Sequence, residues 1–100
     1  MPFIKADHII EEQKFMEFLD QNPEQKKKFE IDQKEFAFRM ALATTRKAEH
    51  ITQNELEHAS GLTQQSISRI EKNMEYSPML NTILRYIDGL GYQLTLTKKS

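Results

Sequence analysis

Apolar positions along the chain recur at three- and four-residue spacing in several blocks, the mark of amphipathic helices. Phe15, Phe18 and Leu19 form the first block, and good helix formers dominate from His8 to Asp20, which predicts a short helix with Asp7 as its N-cap. Asn22-Pro23 ends that helix and starts the next, with Asn22 as cap and Pro23 at the first helical position. The helical pattern then continues from Glu24 to about Glu49, with Phe29, Phe36, Met40 and Ala43 along one stripe and Ile31-Asp32 as the place where it would bend. Thr52 and Glu55 have the spacing of a capping box, so a further helix starts there and runs to about Ser60, where Gly61 permits a left-handed turn. Thr63 caps the next helix, Gln64 to about Lys72, and Leu56, Leu62, Ile67 and Ile70 converge on one core. Ser77-Pro78 reads as another cap-plus-proline start, followed by the stripe Leu80, Ile83, Leu84, Ile87 and Leu90, with Gly89 and Gly91 as the stop. Residues 92–97, Tyr-Gln-Leu-Thr-Leu-Thr, alternate apolar and polar and predict one short strand.

The pair of short helices carries the chemistry. Leu56-x4-Gly61-Leu62-x4-Ile67-x2-Ile70 is helix-turn-helix spacing: the glycine makes the tight turn and the apolar positions lock the helices at a steep angle. The second helix then presents Gln64, Gln65, Ser68 and Arg69 where base edges would lie. Gln can bond bidentately to adenine and Arg to guanine in the major groove. Gln53 at the start of the first helix and Asn73 after the second suit phosphate contacts, alongside helix N-termini.

Charge changes this picture only slightly. The whole chain carries −1, but residues 1–32 sum to −3 and residues 33–100 to +2, a sign that suits a DNA-binding body and a front segment with another task. No apolar run approaches a membrane span, and the N-terminal stretch lacks a signal peptide's apolar block, so a cytoplasmic protein is expected. The absence of cysteine removes disulfides, thiol catalysis and thiolate metal sites. His8, His50 and His58 share no metal-ligand spacing and read as helix-end and helix-surface residues, so neither a metal nor a cofactor is expected. No acid/base pair, phosphate loop or nucleophile constellation marks an enzyme.

Ile51-Thr52-Gln53-Asn54-Glu55-Leu56 followed by Gly61-Leu62-Thr63-Gln64-Gln65-Ser66-Ile67-Ser68-Arg69-Ile70-Glu71 resembles the Cro/lambda-repressor (Xre) helix-turn-helix family, and the likeness extends over residues 39–91. The resemblance implies that Thr63 and Ser66 join the DNA-binding set, and that Arg46 and Glu71 form a partly buried ion pair. Two residues depart from the family. Glu57 stands where a small residue, mostly Ala, is usual, and His50 stands where Gly is favoured.

The flanks narrow the resemblance further. Phe-Leu-Asp-Gln-Asn-Pro-Glu-x-Lys-Lys-x-Phe-Glu before the motif and Leu-Gly-Tyr-x-Leu-x-Leu after it are similar to HigA-type antitoxins. That likeness implies a homodimer that binds double-stranded operator DNA, represses its own operon and caps a RelE/HigB-like mRNA-cleaving toxin. Glu11, Glu12, Phe15, Glu17, Phe18 and Leu19, with Asp20 beside them, would face the toxin, unless those aromatics pack on the protein's own core. Lys26, Lys27 and Lys28 read as a solvated helix face. Tyr92, Leu94 and Leu96 would be buried where the tail strand pairs with its symmetry mate.

The expected architecture is therefore mainly α. A helical extension spans 1–32, a lambda-repressor-like helix-turn-helix domain 33–91, and a dimerisation strand and tail 92–100. A stand-alone repressor shares every DNA-binding residue. A protein-interaction module that has lost DNA binding is the reading from another class.

Overall fold

The computed structural model describes residues 6–100, with side chains from Glu11 onward. Five helices follow one another among the described residues: α1 (Ala6–Gln21), α2 (Pro23–Ala48), α3 (Gln53–Ser60), α4 (Gln64–Lys72) and α5 (Leu80–Gly89). The chain divides into two compact units, Met1–Glu35 and Phe36–Ser100, and the division falls inside α2. That helix is unbroken at Ile31-Asp32, where the sequence suggested a bend.

Among the described side chains of the first unit Leu19 is the buried apolar one, and Phe15 meets Phe29 edge to face at 5.2 Å between ring centroids. Such a pair adds about 0.5–1.5 kcal/mol beyond the area it buries. Phe15, Met16, Phe18 and Ile31 nonetheless remain exposed over about half their surface. Asn22 does not cap α2 through its side chain: its amide donates backward to the Phe18 carbonyl at 2.7 Å, closing the end of α1 instead. Asp7, expected as a cap, lies within α1, and its side chain falls outside the described residues, as does that of His8.

The second unit is built around a core of Leu42, Leu56, Leu62, Ile67, Ile70, Ile83, Tyr86, Ile87 and Leu90, with Ile51 and Tyr76 packed against it. The expected core of the helix-turn-helix pair is all present. On α2 the buried face is Arg39, Leu42, Ala43 and Arg46, so the expected stripe is right at Ala43, while Phe36 and Met40 sit at its half-buried edge. On α5 the expected stripe is too wide. Leu80 and Leu84 face solvent, and Tyr86 fills the centre with Ile83, Ile87 and Leu90. Nor does α5 begin at Ser77-Pro78. Its N-cap is Met79, which makes no side-chain cap bond.

Two backbone positions set the joints. Gly61 closes α3 at φ 76°, and its N–H bonds the Glu57 carbonyl. His50 is left-handed at φ 58°, and there the chain leaves α2 through bonds from His50 N to the Lys47 carbonyl and Ile51 N to the Arg46 carbonyl. These two bonds are the Schellman pattern, in which glycine is the usual left-handed residue. The histidine thus adopts the conformation that the family's glycine would.

Residues 92–97 carry no ladder, and no strand occurs among the described residues. The alternation of that tail suits a strand, but a ladder needs a second strand and the described residues supply none. Tyr92 instead donates its hydroxyl to Glu49 at 2.6 Å, and Leu96 is fully exposed. Among the described residues no helix is long and apolar enough to cross a membrane, and no cluster of His, Asp or Glu has the makings of a metal site.

Candidate nucleic-acid interface

Helix α4 is too short to hold a direction by itself, and neighbouring side chains fix it at both ends. At its start the Thr63 hydroxyl accepts the Ser66 N–H at 3.1 Å, and the Glu57 carboxylate, reaching over from α3, accepts the Gln64 N–H at 2.5 Å. At its end Arg39, only 1% exposed, donates from Nη1 to the carbonyls of Ile70 at 3.2 Å and Asn73 at 2.9 Å, with the Arg69 carbonyl at 3.5 Å. An anion therefore sits at the positive end of the helix dipole and a cation at its negative end.

Near its C-terminal end α4 is tied to α2 by Arg46 and Glu71. Arg46 Nε donates to Glu71 Oε2 at 2.7 Å and Nη2 to Oε1 at 2.9 Å, a bidentate pair with both side chains buried. Tyr86 of α5 donates its hydroxyl to Glu71 Oε2, and Gln53 of α3 donates its amide to Oε1 at 3.2 Å. Arg46 also spends Nη1 on the Ile51 carbonyl at 2.7 Å. One carboxylate thus joins α2, α3, α4 and α5. Burial pushes the Glu71 carboxyl toward neutrality, but the bonds from Arg46, Tyr86 and Gln53 outweigh it and hold the group below the usual carboxylate range. Burial, then the bond to Glu71, raises the Tyr86 phenol well above its ordinary value. The bond to Glu71 raises Arg46 in turn.

The cap at the start of α3 is built from local chemistry. Thr52 and Glu55 form both halves of the capping box, with Glu55 N to Thr52 Oγ1 at 3.0 Å and Thr52 N to Glu55 Oε1 at 3.1 Å. The Thr52 N–H and hydroxyl lower the pKa of Glu55.

On this frame α4 presents its polar face. Gln64, Gln65 and Arg69 are exposed and Ser68 is half-buried, so their donors and acceptors are open to a ligand. Two amides and a guanidinium on one face can bond base edges bidentately. Thr63 and Ser66 lie in the same turn, but their hydroxyls bond each other at 3.0 Å and complete the cap. Gln53 is half-buried and commits one amide hydrogen to Glu71, which leaves its second amide hydrogen to donate to a phosphate. Asn73 caps the end of α4. Its side-chain oxygen accepts the Glu75 N–H at 2.9 Å, leaving its amide hydrogens. The structure thus gathers Gln53, Thr63, Gln64, Gln65, Ser66, Ser68, Arg69 and Asn73 on α3 and α4 and their joints. Glu11, Glu12, Phe15, Glu17, Phe18 and Leu19 belong to α1 in the other unit, and Tyr92, Leu94 and Leu96 to the tail.

Sequence reading missed Arg39 and Tyr86. Both had a signal: Arg39 lies seven residues before Arg46 with Leu42 and Ala43 between them, an arginine pair on an apolar face, and Tyr86 falls on the three-four spacing of Ile83, Ile87 and Leu90.

Two short helices joined through a left-handed glycine, the second rigidly held with a polar face outward, define a DNA-binding domain of the helix-turn-helix class. The chain belongs to the helix-turn-helix family, of the Cro/C1 type, whose model matches residues 42–96. No curated protein and no solved structure matches it. The domain type points to a transcriptional regulator.

Proposed function

We propose that this protein is the antitoxin of a type II toxin–antitoxin pair. As a homodimer it represses its own operon by binding double-stranded operator DNA, and it neutralises a RelE/HigB-like mRNA-cleaving toxin. The observation that carries this reading is the first unit, which the helix-turn-helix does not require. There Phe15, Met16 and Phe18 stay about half exposed beside the exposed carboxylates of Glu12, Glu17 and Asp20. A cleft of about 200 Å3 lies between α1 and the start of α2, lined by Phe15, Phe18, Leu19 and Phe29. Apolar anchors with carboxylates beside them suit a basic nuclease. Leu19, being buried, acts as the frame of that surface and not as a contact. Neutralisation is then occlusion of the toxin, with no chemistry performed by this chain.

Dimerisation through the tail fits the same reading. Tyr92, Leu94 and Leu96 alternate with polar residues, and the tail's backbone has no ladder partner among the described residues. Pairing with a second tail would satisfy those groups. A dimer matters mechanically, since two recognition helices about 34 Å apart read a palindrome one turn of DNA long.

The test is recovery of the tagged protein from its native cells, with mass identification of bound polypeptides. A stoichiometric small basic partner, released only by denaturant and able to cleave RNA, is the expected result. Recovery of the protein alone would instead support a stand-alone repressor, leaving the DNA-binding residues unchanged.

A further inference from the structure

Glu57 is a carboxylate in the wedge between α3 and α4, where packing alone would be served by a small side chain. It lies one turn before Gly61, is half-buried, and its Oε2 accepts the N–H of Gln64, the first residue of α4. The first-turn amides of a helix, with the positive end of its dipole, attract anions. For a DNA-binding helix the anion on offer everywhere along the duplex is backbone phosphate. In this protein Glu57 takes the Gln64 amide and Thr63 takes the Ser66 amide. The positive side chains of α4, Arg69 and Lys72, lie in its last turn, away from this end.

We propose that Glu57 is a specificity-determining residue for DNA: its negative charge excludes phosphate from the start of α4, so backbone binding is weakened relative to base readout by Gln64 and Gln65. The inference rests on the DNA-binding reading of α4. It also gives the unusual residue at this position a purpose that packing does not. A helix start that grips any phosphate adds affinity for every sequence alike, whereas one filled from within leaves the amides of Gln64 and Gln65 side chains to discriminate.

Glu57→Gln tests it, because glutamine keeps an oxygen to accept the Gln64 N–H and loses only the charge. The probes are a duplex enriched from a random-sequence pool by the unaltered protein, and a scrambled duplex of equal length. Affinity for each is measured from about 50 to 200 mM salt, the range over which phosphate contacts tell. Glu57→Gln is expected to bind the scrambled duplex about five-fold more tightly, the size of one unit charge at contact distance in water. The selected duplex gains less, so the ratio falls, and the salt dependence on the scrambled duplex steepens. An unchanged ratio, whether both affinities rise together or neither moves, overturns the proposal. Glu57→Ala, checked for helical content, removes the cap as well. A ratio that falls in Glu57→Ala but not in Glu57→Gln would make capping, not charge, the determinant and likewise overturn it. If the unaltered protein shows no salt-sensitive affinity for any duplex, the DNA-binding reading falls first, and is seen to fall separately.

Discussion

The two units of this chain are stabilised by different kinds of interaction. In Phe36–Ser100 charge is taken inside: Arg39, Arg46 and Glu71 are buried, and each bonds across helices. Among the described residues of Met1–Glu35 charge stays outside: Lys26–Asp20 at 3.0 Å and Lys28–Asp32 at 2.6 Å are exposed pairs, and Phe15 and Phe18 are about half covered. A buried, fully bonded ion pair is a weak source of net stability but allows few alternative arrangements. That suits a helix whose polar face must be aimed at base edges. Exposed pairs and open apolar surface impose little on geometry and leave area for another molecule. The contrast suggests where rigidity is needed and where contact is.

Glu71→Ala should produce the largest loss. It strips the partner from a buried Arg46 and leaves the hydroxyl of Tyr86 and the amide of Gln53 without their acceptor. Breaking a buried pair in this way costs about 3–5 kcal/mol, to be read from urea unfolding of the purified variant. A loss below about 1 kcal/mol would mean the network does not organise the second unit. The same carboxylate sets an acid limit. Its pKa is depressed in the fold, so its contribution is complete above the unfolded value near ~4.3 and drains away as pH falls through the lower folded value. Tyr86 acts at the other end, since its raised pKa costs stability only once pH climbs past ~10. Unfolding free energy should therefore be flat between about pH 5 and 9 as far as these two groups are concerned, and the acid decline should be shallower in Glu71→Gln.

Gly89→Ala comes next and probes apolar closeness within the same unit. A Cβ on Gly89 would lie 2.8 Å from the Ser60 Cβ and 2.9 Å from Leu56 Cδ1, so α5 and α3 would have to part. Overpacking of this kind costs roughly 1–3 kcal/mol, again by urea unfolding. An alanine tolerated without loss would show that α3 and α5 have slack where the structure shows contact.

Local chemistry was the legible part of this fold. Thr52 with Glu55, Gly61 and Thr63 each announce a helix end through bonds made within a few residues, and Leu56, Leu62, Ile67 and Ile70 follow from period alone. What escaped reading depends on partners distant in the chain. Arg39 finds its carbonyls more than thirty residues on, at Ile70 and Asn73, and nothing beside it announces them. On α5 the pattern offered more apolar positions than one buried face holds, so Leu80 and Leu84 were expected inside and Tyr86 was passed over. The tail's alternation encodes a strand's two faces but not the neighbour a strand requires. Glu57 was visible as an odd residue, but its partner, a backbone amide on the next helix, leaves no mark in side-chain identity.

His50→Gly is expected to work in the opposite direction. His50 holds φ 58° at the end of α2, a region that costs a residue with a Cβ about 1–2 kcal/mol and glycine nothing. Glycine loses more freedom on folding, which offsets part of the relief. A net gain of up to about 1 kcal/mol should appear as a higher urea midpoint. Destabilisation would instead show that the His50 side chain makes a contribution larger than its backbone strain.

Asp32→Asn should have the smallest effect and bears most directly on the contrast between the units. Lys28 and Asp32 are one turn apart on α2, close enough to bond, and both side chains are more than half exposed. Water already solvates the two charges, and salt screens their attraction. Pairs at this spacing on a helix surface contribute about 0.3–0.5 kcal/mol. The substitution keeps shape and removes charge, so the loss should stay within that figure and shrink further at high salt. A cost approaching that of Glu71→Ala would mean that the first unit is also organised by its ion pairs. Its half-exposed aromatics would then need to be read as parts of a rigid scaffold, and the case for a partner surface on α1 would lose its physical basis.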